Sequence, residues 1–276
     1  MTRVLVFDSG VGGLSVVDAL RASAHGWRID YLSDNAWLPY GEKSDAALLE
    51  RVPALIAAAC LEWEPDVVVL ACNTASTIAL DAVRARVSAP VVGVVPPIKP
   101  AAAASRSKTI GLLATPATVA RSYTDKLIAE FAHDCTVVRV GATALVVAAE
   151  RKLRGEAVDM AAIRDAIAPL FEPPHGASLD VVALACTHFP LLREELAAAA
   201  PRALIWLDSG AAVARRAAEV AAAPPGGARA RRVALTDPRA FADLALALAS
   251  RGFDAFARMR AQPPFDIDVH RGSAPA

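Results

Sequence analysis

Two cysteines stand in matching surroundings. Cys72 interrupts the run Asp-Val-Val-Val-Leu-Ala-Cys-Asn-Thr-Ala-Ser at residues 66–76, and Cys186 interrupts Asp-Val-Val-Ala-Leu-Ala-Cys-Thr-His-Phe-Pro at residues 180–190. Each apolar run is short and bounded by turn-compatible residues, the pattern of a parallel strand buried on both faces. The thiol then lies at the C-terminal edge of a sheet, where open α/β sheets place their ligands. A helical pattern follows each cysteine, and a helix N-terminus lowers a thiol pKa from its free value of about 8.5. Either thiol is a candidate base or nucleophile. A nucleophile needs only one cysteine and a nearby base. Two equivalent thiols suit another task, taking a proton from one face of a carbon and returning one to the other. Acid–base chemistry supplies about 10²- to 10⁴-fold. The α-proton of an amino acid also requires hydrogen bonds and charges that stabilise an enediolate-like state.

Polar turns around the cysteines offer such groups. Residues 3–7 form an apolar strand that runs into Asp8-Ser9-Gly10-Val11-Gly12-Gly13 and a helix over 14–22. A glycine-rich turn before a helix can cradle an anion, but the spacing is not GxGxxG and specifies no dinucleotide. A carboxylate at Asp8 favours an ammonium or a base over a phosphate. Asp208-Ser209-Gly210 repeats the turn, and the two Asp-Ser-Gly and two Ala-Cys turns read as pseudo-symmetry between two α/β units. Pro39-Tyr40-Gly41 centres a polar loop, the kind of connection that carries function. Asp45 and Thr74 are placed as helix caps. His188, two residues after Cys186, is either a structural hydrogen-bonder or a group that shares a proton with the thiol. Cys60 and Cys135 read as packing residues.

The elements that position these residues alternate strand and helix. Strands are expected at 29–32, 66–71, 91–95, 109–114, 136–140, 181–185 and 203–207. Helices are expected at 45–63, 75–87, 118–131, 157–170 and 238–250, with another ending near Glu150. The proline break at 96–100 marks a domain crossing. The Asp208 turn marks the return, giving a first domain of 1–97 plus 207–276 and a second of 98–206. Pro224 to Arg232 reads as an exposed loop whose Arg229, Arg231 and Arg232 are merely solvated. The helix at 238–250 is expected to close the fold, and residues 262–276 show little periodicity.

The 276 residues suffice for two modest domains, 55% are apolar, and the formal charge balances at +0. Neutrality argues against a nucleic-acid groove or a membrane-surface patch. No apolar run reaches the roughly 18 residues of a membrane span, Asp8 interrupts the first apolar run before it resembles a signal peptide, and a cytoplasmic protein is expected. The four cysteines form no CxxC pair and read as free thiols.

In order, Phe-Asp-Ser-Gly-Val-Gly-Gly-Leu-Ser-Val, Pro-Tyr-Gly, Ala-Cys-Asn-Thr-Ala-Ser, Gly-Val-Val-Pro-Pro-Ile-Lys-Pro-Ala, Leu-Leu-Ala-Thr-Pro-Ala-Thr-Val, Ala-Cys-Thr-His-Phe-Pro-Leu-Leu and Asp-Ser-Gly-Ala-Ala resemble the glutamate racemases. These are cofactor-independent enzymes of the aspartate/glutamate racemase superfamily. The resemblance implies two pseudo-symmetric α/β domains with mainly parallel sheets and an active site in the cleft between them. It implies no metal, no cofactor, and glutamate as substrate. Cys72 would deprotonate the D isomer with help from Asp8, and Cys186 the L isomer with help from His188 and Glu150. Ser9, Pro39, Tyr40, Gly41, Asn73, Thr74 and Thr187 would hold the substrate, with Thr115 and Thr118 as further contacts. The chain departs from many relatives at Ser33-Asp34-Asn35-Ala36-Trp37, where Asp-Thr-Ala-Arg is common, and at Ala117, where glycine is usual. The Val-Val-Pro-Pro-Ile-Lys-Pro and Arg-Ser-Tyr-Thr segments resemble the proteobacterial branch. Some of its members depend on a UDP-muramoyl peptide precursor as activator, which makes that precursor a candidate partner. Monomer and homodimer both stay open. So do two rival readings, an aspartate racemase and a non-catalytic two-domain binder of a small ligand.

Overall fold

The computed structural model describes residues 1–270 apart from Ala24, Ala223 and Pro225. They form two compact units, the first made of Met1–Val94, Leu153–Gly155 and the chain from Gly210 onward, the second of Val95–Lys152 and Glu156–Ser209. The first unit begins with β1 (Thr2–Asp8), α1 (Leu14–Ala22), β2 (Trp27–Ser33), α2 (Asp45–Trp63), β3 (Val67–Leu70), α3 (Asn73–Arg86) and β4 (Val91–Gly93). The second carries α4 (Ile98–Ala104), β5 (Thr109–Ala114), α5 (Pro116–Val119), α6 (Ser122–Phe131), β6 (Thr136–Gly141), α7 (Thr143–Leu153), α8 (Met160–Ile167), β7 (Val181–Leu184), α9 (Arg193–Ala199) and β8 (Ile205–Leu207). The first resumes with α10 (Gly210–Ala221), β9 (Arg229–Leu235), α11 (Ala240–Ala249), β10 (Ala255–Met259) and β11 (Ile267–His270).

The first sheet has the order β11-β10-β9-β2-β1-β3-β4 and the second β6-β5-β7-β8. Pairing is parallel except between β10 and β11. The segments β2-β1-β3-β4 and β6-β5-β7-β8 share one order, so each unit places its third strand directly beside its first. Those third strands, Val-Val-Val-Leu and Val-Val-Ala-Leu, are buried along their whole length, as helix-covered parallel strands must be. In α2 the buried Leu48, Val52, Leu55, Ile56, Ala59 and Trp63 recur at helical spacing and close the core over β1 and β3. A separate core in the second unit gathers Ile110, Leu112, Val181 and Ala183 with Ile98 and Leu127.

Several expectations are corrected. The counterpart of the Asp8 turn after β1 is the Thr115 turn after β5, not the second Asp-Ser-Gly. Asp208 follows the edge strand β8, and its carboxylate pairs with Arg193. The helix expected over 118–131 is split, with α5 capped by the Thr115 hydroxyl and α6 restarting at Ser122. Ser44, not Asp45, caps α2 through its side chain. The expected exposed loop of Pro224 to Arg232 gives way to β9 at Arg229, and the helix expected to close the fold is followed by β10 and β11. Part of 262–276 is thus a strand, and residues 271–276 lie outside the described residues.

Arg232 is not simply solvated. Its guanidinium meets Asp30 at 2.8 Å from Nε and 2.5 Å from Nη2, and lies 4.8 Å from the Trp63 ring centre. Asp30 is 2% exposed and also accepts the Arg232 main-chain N–H at 3.2 Å, so removing the guanidinium leaves a buried carboxylate without its countercharge. Arg232→Ala is expected to cost about 2 kcal/mol in urea unfolding. A loss under about 0.5 kcal/mol would return Arg232 to the merely solvated class.

Candidate active site

In the first unit, parallel pairing of β1 with β3 ends with the Ala71 N–H donating to the Phe7 carbonyl at 2.8 Å. That bond sets Asp8-Ser9 beside Cys72. The Cys72 thiol reaches the Ser9 hydroxyl at 3.6 Å, and its sulfur accepts the Ala75 N–H at 3.5 Å. Cys72 is therefore itself the N-cap of α3, the role the sequence suggested for Thr74, which lies inside the helix. A sulfur at this position feels the partial positive charge of the helix N-terminus, which favours the thiolate.

Asp8 is fully buried and accepts the Gly10 N–H at 3.0 Å. The Gly10 carbonyl in turn accepts the Tyr31 and Ser33 hydroxyls at 2.6 and 2.8 Å. Gly13 permits this packing, because a Cβ there would stand 2.7 Å from the Asp8 Cβ. Ser9, Asn73 and Thr74 are also buried, and the Asn73 Oδ1 has no hydrogen-bond partner. An orphaned buried acceptor calls for a donor. Pro39 and Gly41 are half-buried around Tyr40, which is buried in the same core as Cys72. The Tyr40 hydroxyl donates to Asp34 at 2.6 Å. Burial first, and then the Asp34 carboxylate, hold its phenol well above the ordinary tyrosine range.

In the second unit the Ala185 N–H donates to the Leu113 carbonyl at 2.8 Å, which sets the turn after β5 beside Cys186. The Thr115 and Thr118 hydroxyls lie 3.0 Å apart there. Cys186, Thr187, His188 and Glu150 are all buried. The Cys186 Sγ lies 3.7 Å from His188 Nδ1, and His188 Nε2 lies 2.8 Å from the Glu150 carboxylate. Burial disfavours the imidazolium, but hydrogen bonds to Cys186 and Glu150 outweigh it and raise the His188 pKa well above the ordinary value. Cys186 does not cap an α-helix as Cys72 does. The turn after it is 3-10 at Phe189–Leu192, and α9 starts only at Arg193.

The structure thus assembles Asp8, Ser9, Tyr40, Cys72, Asn73 and Thr74 in one unit. In the other it assembles Thr115, Thr118, Glu150, Cys186, Thr187 and His188. Cys60 and Cys135 belong to neither group and pack against the cores. Burial pushes the Cys60 thiol up to about 11. Sequence reasoning missed the groups behind the turns, namely Tyr31, Ser33, Asp34, Arg51 and Thr236. Asp34 and Arg51 fall in segments that were read, but no local spacing announces their pairing.

The sequence profile of the family described as Asp/Glu/Hydantoin racemase matches residues 11–217. The chain belongs to that family and, within it, to the glutamate racemases. A glutamate racemase of Sphingopyxis alaskensis is 46% identical over 266 residues, covering 96% of this chain and 92% of the relative. One of Pectobacterium carotovorum is 51% identical over 218 residues, covering 78% and 75%. The crystal structure of Escherichia coli glutamate racemase, in complex with L-glutamate and activator UDP-MurNAc-Ala, superposes with a TM-score of 0.83 at 42% identity, over 96% of this chain and 98% of that one. The protein is an enzyme, an isomerase of two α/β units. No helix among the described residues is long and apolar enough to cross a membrane.

The His188 geometry has a signed consequence. A folded pKa above 6.5 adds stability that is fully present below the unfolded value and is lost as pH rises through the folded one. An NMR titration of the His188 ring is expected to show a midpoint above 6.5 that Glu150→Gln moves downward; a wild-type midpoint below 6.5 refutes the arrangement. For Cys60, a thiol near 11 implies iodoacetamide labelling at pH 8 about 100-fold slower than for a free cysteine. Mass spectrometry of alkylated peptides checks this, and labelling at the free rate contradicts it.

Proposed function

We propose that this racemase interconverts L- and D-glutamate by proton transfer between two thiols, without cofactor, and supplies D-glutamate to peptidoglycan synthesis in the cytoplasm. The observation that carries the mechanism is the placement of two buried cysteines at equivalent strand ends, Cys72 on the first turn of α3 and Cys186 beside His188. In the D-to-L direction the Cys72 thiolate takes the α-proton, the electron pair passes into the α-carboxylate, and the Cys186 thiol delivers its proton to the opposite face. The reverse direction uses the same residues with their proton states exchanged. Asp8 assists Cys72, while His188, oriented by Glu150, assists Cys186.

The unpaired Asn73 Oδ1 suits the substrate ammonium, which has donors to give. Ser9, Thr74 and Thr187, with the Pro39-Tyr40-Gly41 turn, complete the proposed contacts. Thr115 and Thr118 are further proposed contacts. The UDP-MurNAc-Ala in the similar Escherichia coli structure supports a muramoyl precursor as activator here.

Incubation with each enantiomer in deuterated water, with and without the muramoyl precursor, tests the proposal through α-hydrogen exchange and optical rotation. Exchange and racemisation are expected from both sides. Cys72→Ser and Cys186→Ser are each expected to lower turnover by about 10³-fold. The enantiomers have equal free energy, so kcat/KM must fall by the same factor in both directions. Absence of exchange with either enantiomer under both conditions sinks the reading. Activity with aspartate alone would favour the aspartate racemase.

A further inference from the structure

Behind the Pro-Tyr-Gly turn lies a buried ionic junction that the reaction itself does not use. Asp34 is fully buried and Arg51 is 5% exposed. One carboxylate oxygen of Asp34 accepts the Tyr40 hydroxyl and the Arg51 Nε–H, both at 2.6 Å. The other accepts Arg51 Nη2–H at 2.7 Å and the Thr236 hydroxyl at 2.9 Å. A carboxylate has about four acceptor positions, so Asp34 is saturated. The main-chain N–H of Asp34 donates to the Asp8 carbonyl at 2.9 Å. Arg51 Nη1 donates to the Ala261 carbonyl at 2.7 Å, and its guanidinium lies 4.3 Å from the Trp37 ring centre and 5.3 Å from that of Phe265.

We propose that Asp34 and Arg51 are positioning residues for the glutamate site, holding Tyr40–Gly41 in fixed relation to Cys72 through this one carboxylate. This rests on the glutamate-site reading above. Because the Tyr40 proton is committed to Asp34, the phenol has only its lone pairs to present to a ligand. The turn's remaining donors are main-chain N–H groups, whose direction depends on the junction. A buried pair with full hydrogen bonding is a device for fixing geometry more than for raising stability. Losing it misplaces substrate-binding groups while leaving both thiols and the His188–Glu150 pair intact. The expected signature is a rise in KM rather than a fall in kcat.

The test measures kcat and KM for both enantiomers in wild type, Arg51→Ala and Tyr40→Phe, with circular dichroism to establish folding. Arg51→Ala is expected to raise KM about ten-fold with kcat within about three-fold of wild type. A cavity of about 590 Å³ lined by Trp37, Arg51 and Phe265 gives access to the vacated position. Added methylguanidinium should therefore lower the KM of Arg51→Ala and leave that of wild type unchanged. Tyr40→Phe keeps the ring and the ion pair, so it should fold, and should raise KM by about five-fold. If Arg51→Ala does not fold, Tyr40→Phe decides. A folded variant with KM within about two-fold of an active wild type overturns the positioning role alone. A wild type that turns over neither enantiomer overturns the functional reading, and this role with it.

Discussion

Main-chain pairing between the first and third strands of each sheet governs everything that happens at the thiols. Parallel register between β1 and β3 runs through Phe7 and Leu70, so both strands end at the same level. Asp8-Ser9 and Cys72 therefore leave the sheet side by side. Between β5 and β7 the register runs through Leu113 and Leu184 and does the same for Thr115 and Cys186. A slip of one residue would turn each cysteine to the other face of its sheet.

The same pairing leads to unlike electrostatic solutions in the two units. Cys72 closes onto the first turn of α3 and takes a main-chain N–H, so its sulfur rests on backbone dipoles that cannot titrate. Cys186 is followed by a short 3-10 turn instead, and depends on a buried histidine tied to a carboxylate. That support is titratable. The two thiols are equivalent in topology and unequal in their surroundings.

Asp34 and Arg51 extend the first arrangement inward. Separated by 17 positions, they join the turn carrying Tyr40 to the end of β9 through Thr236, the residue after it, and to the segment after β10 through Ala261. The late strands of the chain thereby brace a loop near its beginning. Isolated, such a buried pair adds little net stability, because desolvation offsets the attraction. Here the carboxylate's acceptor positions are all filled, the condition under which burial of the pair is tolerated.

Local order was legible in the residues. Apolar runs ending in Ala-Cys, helical spacing in α2, and the Thr115-Pro116 cap each specify their own structure within a few positions of the chain. The pairing of Arg232 with Asp30 and the strand character of Arg229–Leu235 were not legible, because arginines between turn residues look the same whether solvated or paired. Nor was the true counterpart of the Asp8 turn. Two identical Asp-Ser-Gly triplets suggested one equivalence, while strand order imposed another. Residue type and short-range periodicity were enough for most strands and helices of the first 207 residues, for the two thiols and for the glycine-rich turn. The tertiary structure settled which thiol caps a helix, the contact of His188 with both Cys186 and Glu150, and the sharing of Asp34 by Tyr40, Arg51 and Thr236. Those contacts join positions up to 202 residues apart, and nothing local in the chain encodes which distant group will fill a buried acceptor.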